Sequence, residues 1–404
     1  MKFLRRLLLL ALPALPLSAW AESIITETIK VPLHYRTIDS GGQKLGIYLS
    51  IGGGSTPQIF EFDTGGAGLY AAYATNTNSP WWGTGFITTT NSVTNTYDSG
   101  IQYKGPIVEA AVSLFADHHG GTPLVTTPGN LLVGQMTNIA NTNTGEVLWT
   151  PEGVGPSGQP PIDGVFYGDF GMSLNYASKG IVNLIAQLSF SNGIIPGFRV
   201  RAHGDNPYLQ IGLTAADTTS ASAFYFGMNT NTNAPPGATF TNSGSHFYSE
   251  QIFNANMTIS NATTNFTANL GITTDTGAST TIHNANLGGV PPELWTTNDK
   301  GQVRIVAGAD FGLNELTLGN TNVEFFQFTT TNGQVGIQDN NPSNTTFYLN
   351  SGIALFQQYD VIYNLDNGQI GFEPIPEPST WALLALSALL IFAASRRSIL
   401  NKRK

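Results

Sequence analysis

Phe60-Glu61-Phe62-Asp63-Thr64-Gly65-Gly66 and Leu270-Gly271-Ile272-Thr273-Thr274-Asp275-Thr276-Gly277-Ala278-Ser279 are the two stretches on which the reading of this chain turns. Each sets Asp-Thr-Gly at the end of an apolar-rich, strand-like run, one in each half of the chain. A single Asp-Thr-Gly is weak evidence in a sequence of this composition; a pair, each following a strand, is much rarer. Hydrolysis by water is the chemistry that needs such a pair: one group activates the water, another protonates the carbonyl oxygen and then the leaving nitrogen. Two carboxyls held close together cannot both ionise cheaply, so they share one proton and supply both functions. The glycine after each threonine lets the backbone approach the partner loop. Each threonine can hydrogen-bond across to the opposite loop and lock the pair in place. Asp63 and Asp275 are therefore the candidate catalytic pair, supported by Thr64, Gly65, Thr276 and Gly277.

The surrounding 404 residues suit this reading. The length allows two packed lobes, since domains run to about 100–200 residues each. Only 11% of residues are charged, and the rest is rich in Gly, Thr, Asn and Ser, as in an extracellular β-protein with many polar turns. A net charge of −9, with no cluster of Lys and Arg in the body, argues against nucleic acid as a partner. There is no cysteine, so disulfides and thiolate zinc sites are excluded and the core alone must hold the fold. Segments such as Leu45–Ile51 and Gln58–Asp63 read as strands, and Gly180–Leu188 is the best short helix. The Asn-, Thr-, Pro- and Gly-rich stretch Asn229–Ser245 marks the junction between lobes. The expected organisation is an N-terminal lobe over 22–228 and a C-terminal lobe over 229–374.

Both ends read as signals. A basic start, an apolar run from Leu7 to Leu17 and Ala19-Trp20-Ala21 make residues 1–21 a secretory signal peptide, cut by signal peptidase after Ala21. At the far end, Pro376-Glu377-Pro378 leads into the apolar run Trp381–Ala394 and then a basic cluster ending Lys402-Arg403-Lys404. The run is short against the ~20 residues of a spanning helix, but its basic flank would hold the tail on the cytoplasmic side. Residues 375–404 closely resemble the PEP-CTERM sorting signal of Gram-negative bacteria. That resemblance implies an exosortase-type sorting enzyme as a partner, a transmembrane sorting helix that first anchors the protein in the inner membrane, and delivery to the outer surface or extracellular matrix. A GPI-anchor signal would end apolar, not in positive charge; a plain C-terminal membrane anchor is the remaining alternative.

The landmarks between the ends resemble pepsin-like aspartic peptidases, for which the shared-proton dyad is the established device. Leu45–Gln58 looks like the strand and turn before the first catalytic loop, and Leu69-Tyr70 stands where the family has Leu-Trp. Asn95-Thr96-Tyr97-Asp98-Ser99-Gly100 resembles the flap hairpin, which implies Tyr97 over the cleft. Ile162–Gly168 resembles the family's Asp-Gly-Ile-Leu-Gly with one extra residue, and Phe356–Phe372 matches the closing strands of the second lobe. The resemblance spans nearly the whole mature chain in family order. It implies an all-β, bilobal fold with a central cleft, and a monomeric exported endopeptidase. A protein or peptide substrate would lie in the cleft against Tyr97, Gly66 and Ala278, with no cofactor and no metal. The alternatives are a non-catalytic cell-surface or matrix protein retaining this fold, and a purely adhesive Thr/Asn-rich sandwich.

Three departures qualify the resemblance. The residue after Asp-Thr-Gly is usually Ser or Thr, but Gly66 and Ala278 stand here; without those hydroxyls the optimum is expected to be less acidic. Asn350-Ser351-Gly352 replaces an apolar-apolar-Gly element, which would weaken the support behind the Asp275 loop. No long basic propeptide precedes the first strand, so zymogen control by such a segment is not expected. Elsewhere, Asp117-His118-His119 reads as an exposed loop, lacking a further ligand at useful spacing. Trp81-Trp82 reads as a sugar-stacking pair or a loop anchor, Gly52–Ser55 lacks the lysine of a phosphate loop, Asp163 reads as a turn residue, and His283 has no assigned role.

Overall fold

Alternation of apolar and polar residues puts the chain into strands almost throughout. In strand Phe253–Ser260, Phe253, Ala255, Met257 and Ile259 point inward while the residues between them are more open. Strand Gln58–Asp63 has Ile59, Phe60, Glu61 and Phe62 all buried, so both of its faces are covered. Each such Ile or Phe side chain contributes about 1.5–3 kcal/mol by leaving water. The computed structural model describes residues 24–75, 79–155, 159–191, 193–284, 289–339 and 347–375. The expected signal peptide, the Pro376-Glu377-Pro378 motif and the sorting helix lie outside the described residues. Among the described residues no helix is long and apolar enough to cross a membrane.

The architecture is two β-rich lobes over a third, joining sheet. A 13-stranded sheet takes its strands from His34–Thr37 through Gly168–Met172, and a nine-stranded sheet takes its own from Phe253–Ser260 through Tyr348–Asn350. A six-stranded sheet combines Ile29–Pro32, Ile195–Arg201, Tyr208–Leu213 and Phe224–Gly227 with the closing strands Tyr359–Asn364 and Gln369–Pro374. Residues from three separate parts of the chain therefore meet in one sheet.

The same topological unit builds each lobe's centre. In the first, strand Gly168–Met172 threads between Gln58–Asp63, to which it is parallel, and Ala67–Ala72, to which it is antiparallel. In the second, Tyr348–Asn350 threads between Asn265–Thr273 (parallel) and Thr281–Asn284 (antiparallel). Gly171 pairs with Asp63, and a Cβ there would lie 2.5 Å from the carbonyl oxygen of Gly66. At the start of the same strand a Cβ on Gly168 would lie 2.0 Å from the carbonyl oxygen of Tyr70, so both glycines are needed for the close approach.

The expected helix over Gly180–Leu188 is only a single 3-10 turn, Ile185–Gln187. Asn183 is the cause. Its Oδ1 accepts the backbone N–H groups of Ile185 and Ala186 at 2.9 and 3.0 Å, and its Nδ2 donates to the carbonyl of Met172 at 2.7 Å. The side chain caps the turn at its own position, which stops a helix extending upstream.

Candidate active site

The loops following strands Gln58–Asp63 and Asn265–Thr273 meet tip to tip and are tied by a reciprocal set of hydrogen bonds. Thr64 Oγ1 donates to the carbonyl of Thr274 at 2.8 Å, and Thr276 Oγ1 donates to the carbonyl of Phe62 at 2.7 Å. The backbone N–H of Thr64 donates to Thr276 Oγ1 at 3.1 Å, and that of Thr276 donates to Thr64 Oγ1 at 2.9 Å. All four are buried. Each threonine hydroxyl thus donates once and accepts once across the junction. Each contributes a net ~1 kcal/mol, but the larger effect is to fix one loop against the other.

Two carboxyls lie on this frame. Asp63 Oδ1 accepts from Gly65 N, and Asp275 Oδ1 accepts from Gly277 N, each at 2.7 Å. The carboxyls also cross over: a Cβ on Gly65 would lie 2.5 Å from Asp275 Cγ, and one on Gly277 would lie 2.8 Å from Asp63 Cγ. Only glycine leaves space at these two places. Burial, the facing charge of Asp275 and their mutual hydrogen bond hold the Asp63 carboxyl well above its ordinary range. Two carboxyls with Asp63 retaining the proton can act as acid and base at once.

These residues form the floor of a cleft of about 630 Å³, which Ala278, Tyr348, His283 and the exposed Asp98 and Glu250 also line. Tyr97 sits at the tip of the hairpin formed by Phe86–Thr96 and Ile101–Ala110. The turn closes through Gly100 N donating to the Tyr97 carbonyl at 2.8 Å, with Gly100 at φ +87°. The Tyr97 ring meets Tyr70 and Tyr103 edge-on, at 6.4 and 5.5 Å between centroids, and its hydroxyl donates to Asp169 Oδ2.

Two residues of the site have roles that the sequence did not reveal: Asn350, read only as part of a weakened support, and Asp169, not singled out at all. Asn350 Nδ2 donates to Asp275 Oδ2 at 2.6 Å, while its Oδ1 accepts from Gly352 N at 3.0 Å. The stretch Asn350-Ser351-Gly352 is thus a direct partner of the carboxyl, not a weakened support; Ser351 N also bonds the Thr273 carbonyl at 2.9 Å. Asp169 is 2% exposed and lies beneath Tyr97. A Cβ on Gly66 would meet Asp169 Oδ2 at 2.8 Å, Asp63 Oδ2 at 2.9 Å and the Tyr97 hydroxyl at 3.1 Å. Serine has no room at 66. The available signal was a charged residue inside the apolar run Val165–Met172.

Other candidates fall elsewhere. Asp163, at φ +52°, and Glu61 both pair with Lys44, at 2.8 and 2.7 Å. Trp81 and Trp82 are buried loop anchors, both donating Nε1–H to the Ala72 carbonyl, at 2.9 and 2.8 Å. His283 is buried, its ring stacked on Tyr348 at 4.4 Å. Asp117, His118 and His119 gather ligand atoms within 4.8 Å of one another on a loop where both histidines are exposed, yet the Asp117 carboxylate is engaged by His119 N at 2.7 Å.

This is the fold of a pepsin-like aspartic proteinase. The chain is similar to the aspartic proteinase from Irpex lacteus, with a TM-score of 0.51 and 14% identity over 88% of this chain and 99% of that one. Its C-terminal residues 374–397 match the PEP-CTERM protein-sorting motif, which implies export and sorting to the cell surface. No curated protein matches the chain.

Proposed function

We propose that the protein is an exported aspartic endopeptidase. The observation that supports this best is the reciprocal seating of Asp63 and Asp275, each carboxyl lying over the other lobe's glycine at the floor of an open cleft. In this reading a water held between the carboxyls is deprotonated as it attacks the scissile carbonyl. The proton retained on Asp63 passes to the carbonyl oxygen, and the pair then protonates the leaving nitrogen. Thr64 and Thr276 hold the geometry so that nothing reorganises during the step. An extended peptide lies along the cleft as an added strand beneath the Tyr97 hairpin, against Gly66 and Ala278. The lobes correspond to 22–228 and 229–374. After removal of residues 1–21 the tail anchors the protein in the inner membrane, and an exosortase-type enzyme reads Pro376-Glu377-Pro378.

The test is hydrolysis of an unfolded protein across acid to neutral pH, with Asp63→Asn and Asp275→Asn run beside the wild type. Cutting that disappears in both variants, which remain folded, is the expected result. No cutting by the folded wild type at any pH would overturn it in favour of a non-catalytic surface protein.

A further inference from the structure

The register of the two central units makes Asp169 and Asn350 counterparts. Asp169 pairs with Glu61, two residues before Asp63; Asn350 pairs with Thr273, two residues before Asp275. In both lobes the threaded strand thus presents a polar side chain at the same place beside the carboxyl. Asn350 uses it to hold Asp275. Asp169 uses it to accept the Tyr97 hydroxyl, beside Asp63 and in the space that a side chain at 66 would need. Its second oxygen, Oδ1, is buried without a hydrogen-bond partner. A carboxyl in that position is costly unless it is used, and the fold could have placed an apolar side chain there.

We propose that Asp169 is a positioning residue for the hydrolysis: it draws the hairpin tyrosine down and sets it over Asp63. This rests on the peptidase reading, since positioning matters only if the pair reacts. Without Asp169, Tyr97 keeps its edge-on contacts with Tyr70 and Tyr103 but loses the one bond that fixes its hydroxyl.

Asp169→Leu, Asp169→Asn, Tyr97→Phe and the Asp169→Leu/Tyr97→Phe double variant test it on the full protein, with a thermal melt of each to show that it is folded. Asp169→Leu and Tyr97→Phe are each expected to lower kcat by about tenfold, the size of one lost buried hydrogen bond, with KM little changed. The double variant is expected to be no worse than either single one, because both remove the same contact. Asp169→Asn still offers Tyr97 an acceptor oxygen and is expected to restore most of kcat, which filling the space alone would not do. A second readout does not need activity: the fluorine resonance of 3-fluorotyrosine at position 97 should move in Asp169→Leu and stay near its wild-type place in Asp169→Asn. Losses that multiply in the double variant, or a fluorine signal unmoved by Asp169→Leu, overturn the proposal. A wild type that cuts nothing defeats the peptidase reading, while the fluorine signal still decides the contact.

Discussion

Gly65 and Gly277 are roofed by carboxyls from the opposite lobe, so a side chain at either would displace the carboxyl above it. Gly65→Ala puts a methyl carbon 2.5 Å from Asp275 Cγ, so the Asp275 carboxyl must shift by about an ångström. Displacement on that scale costs on the order of 10²-fold in rate. We expect kcat to fall by about that factor in a protein that still melts cooperatively, measured on the same unfolded substrate. At this scale the sequence was readable where the pattern is local: Asp, Thr and Gly stand side by side in each motif. The contacts of Asp169 with Tyr97 and of Asn350 with Asp275 were not readable, although Asn350 was placed behind the Asp275 loop, because they span 72 and 75 residues and depend on strand register. For the same reason Gly66 read as a missing hydroxyl, when the space it leaves is already taken by Asp169, Asp63 and Tyr97.

At the scale of elements, pattern located strand Gln58–Asp63 to the residue, because a short apolar-rich run ending at the Asp-Thr-Gly turn marks a strand covered on both faces. It misread Gly180–Leu188, where a polar side chain redirected the backbone donors. Pattern also says nothing of what joins the six-stranded sheet. There the buried Asp360 accepts from Arg201 Nε at 3.0 Å, pairs with His203 at 2.6 Å and faces Arg199 at 3.4 Å. Arg199 in turn reaches Asp217 at 3.0 Å and Glu373 at 2.8 Å. This network links strand Ile195–Arg201 to both closing strands in a chain without cysteine. Asp360→Ala strands buried Arg199 beside fewer partners and is expected to cost about 3 kcal/mol in a denaturant titration. Arg201 is half open to water and tempers the loss.

Across the whole molecule, buried carboxyls give folding a pH dependence whose sign follows from their surroundings. Burial, partly offset by Lys44, pushes Glu61 up to about 7. Burial first, then neighbouring carboxyls, raises Asp63 and Asp169 well above the usual carboxylate range. A carboxyl raised by folding holds more protons folded than unfolded, so stability is present at acid pH and lost as pH rises from about 4 through the raised values. Glu373, held below its ordinary value by Ser222, Ser220 and Arg199 against the effect of burial, works in the opposite sense. Desolvation within the cleft also raises Glu250. Against these four carboxyls stand Glu373, whose effect is complete below pH 5, and His34, which burial lowers and which favours the folded state as pH rises. Four groups outweigh one in this window: the melting temperature is expected to fall between pH 5 and 7.5, and a rise would contradict this assignment. Under the peptidase proposal, the raised Asp63 carboxyl would keep its proton at less acid pH, so hydrolysis is expected to extend toward neutral pH.

The crossing of carboxyls over the opposite lobe's glycines has a consequence for the life of the chain. A polypeptide that has completed only the strands up to Met172 holds Asp63 with no tether from Thr276 and no facing acid. A later break between the lobes, if they part, returns it to that condition. Neither half carries a blunted version of the pair, because the pair belongs to neither half. The facing pair is therefore assembled in one event, when the second half docks, and under the peptidase proposal the order of synthesis serves as its safety catch.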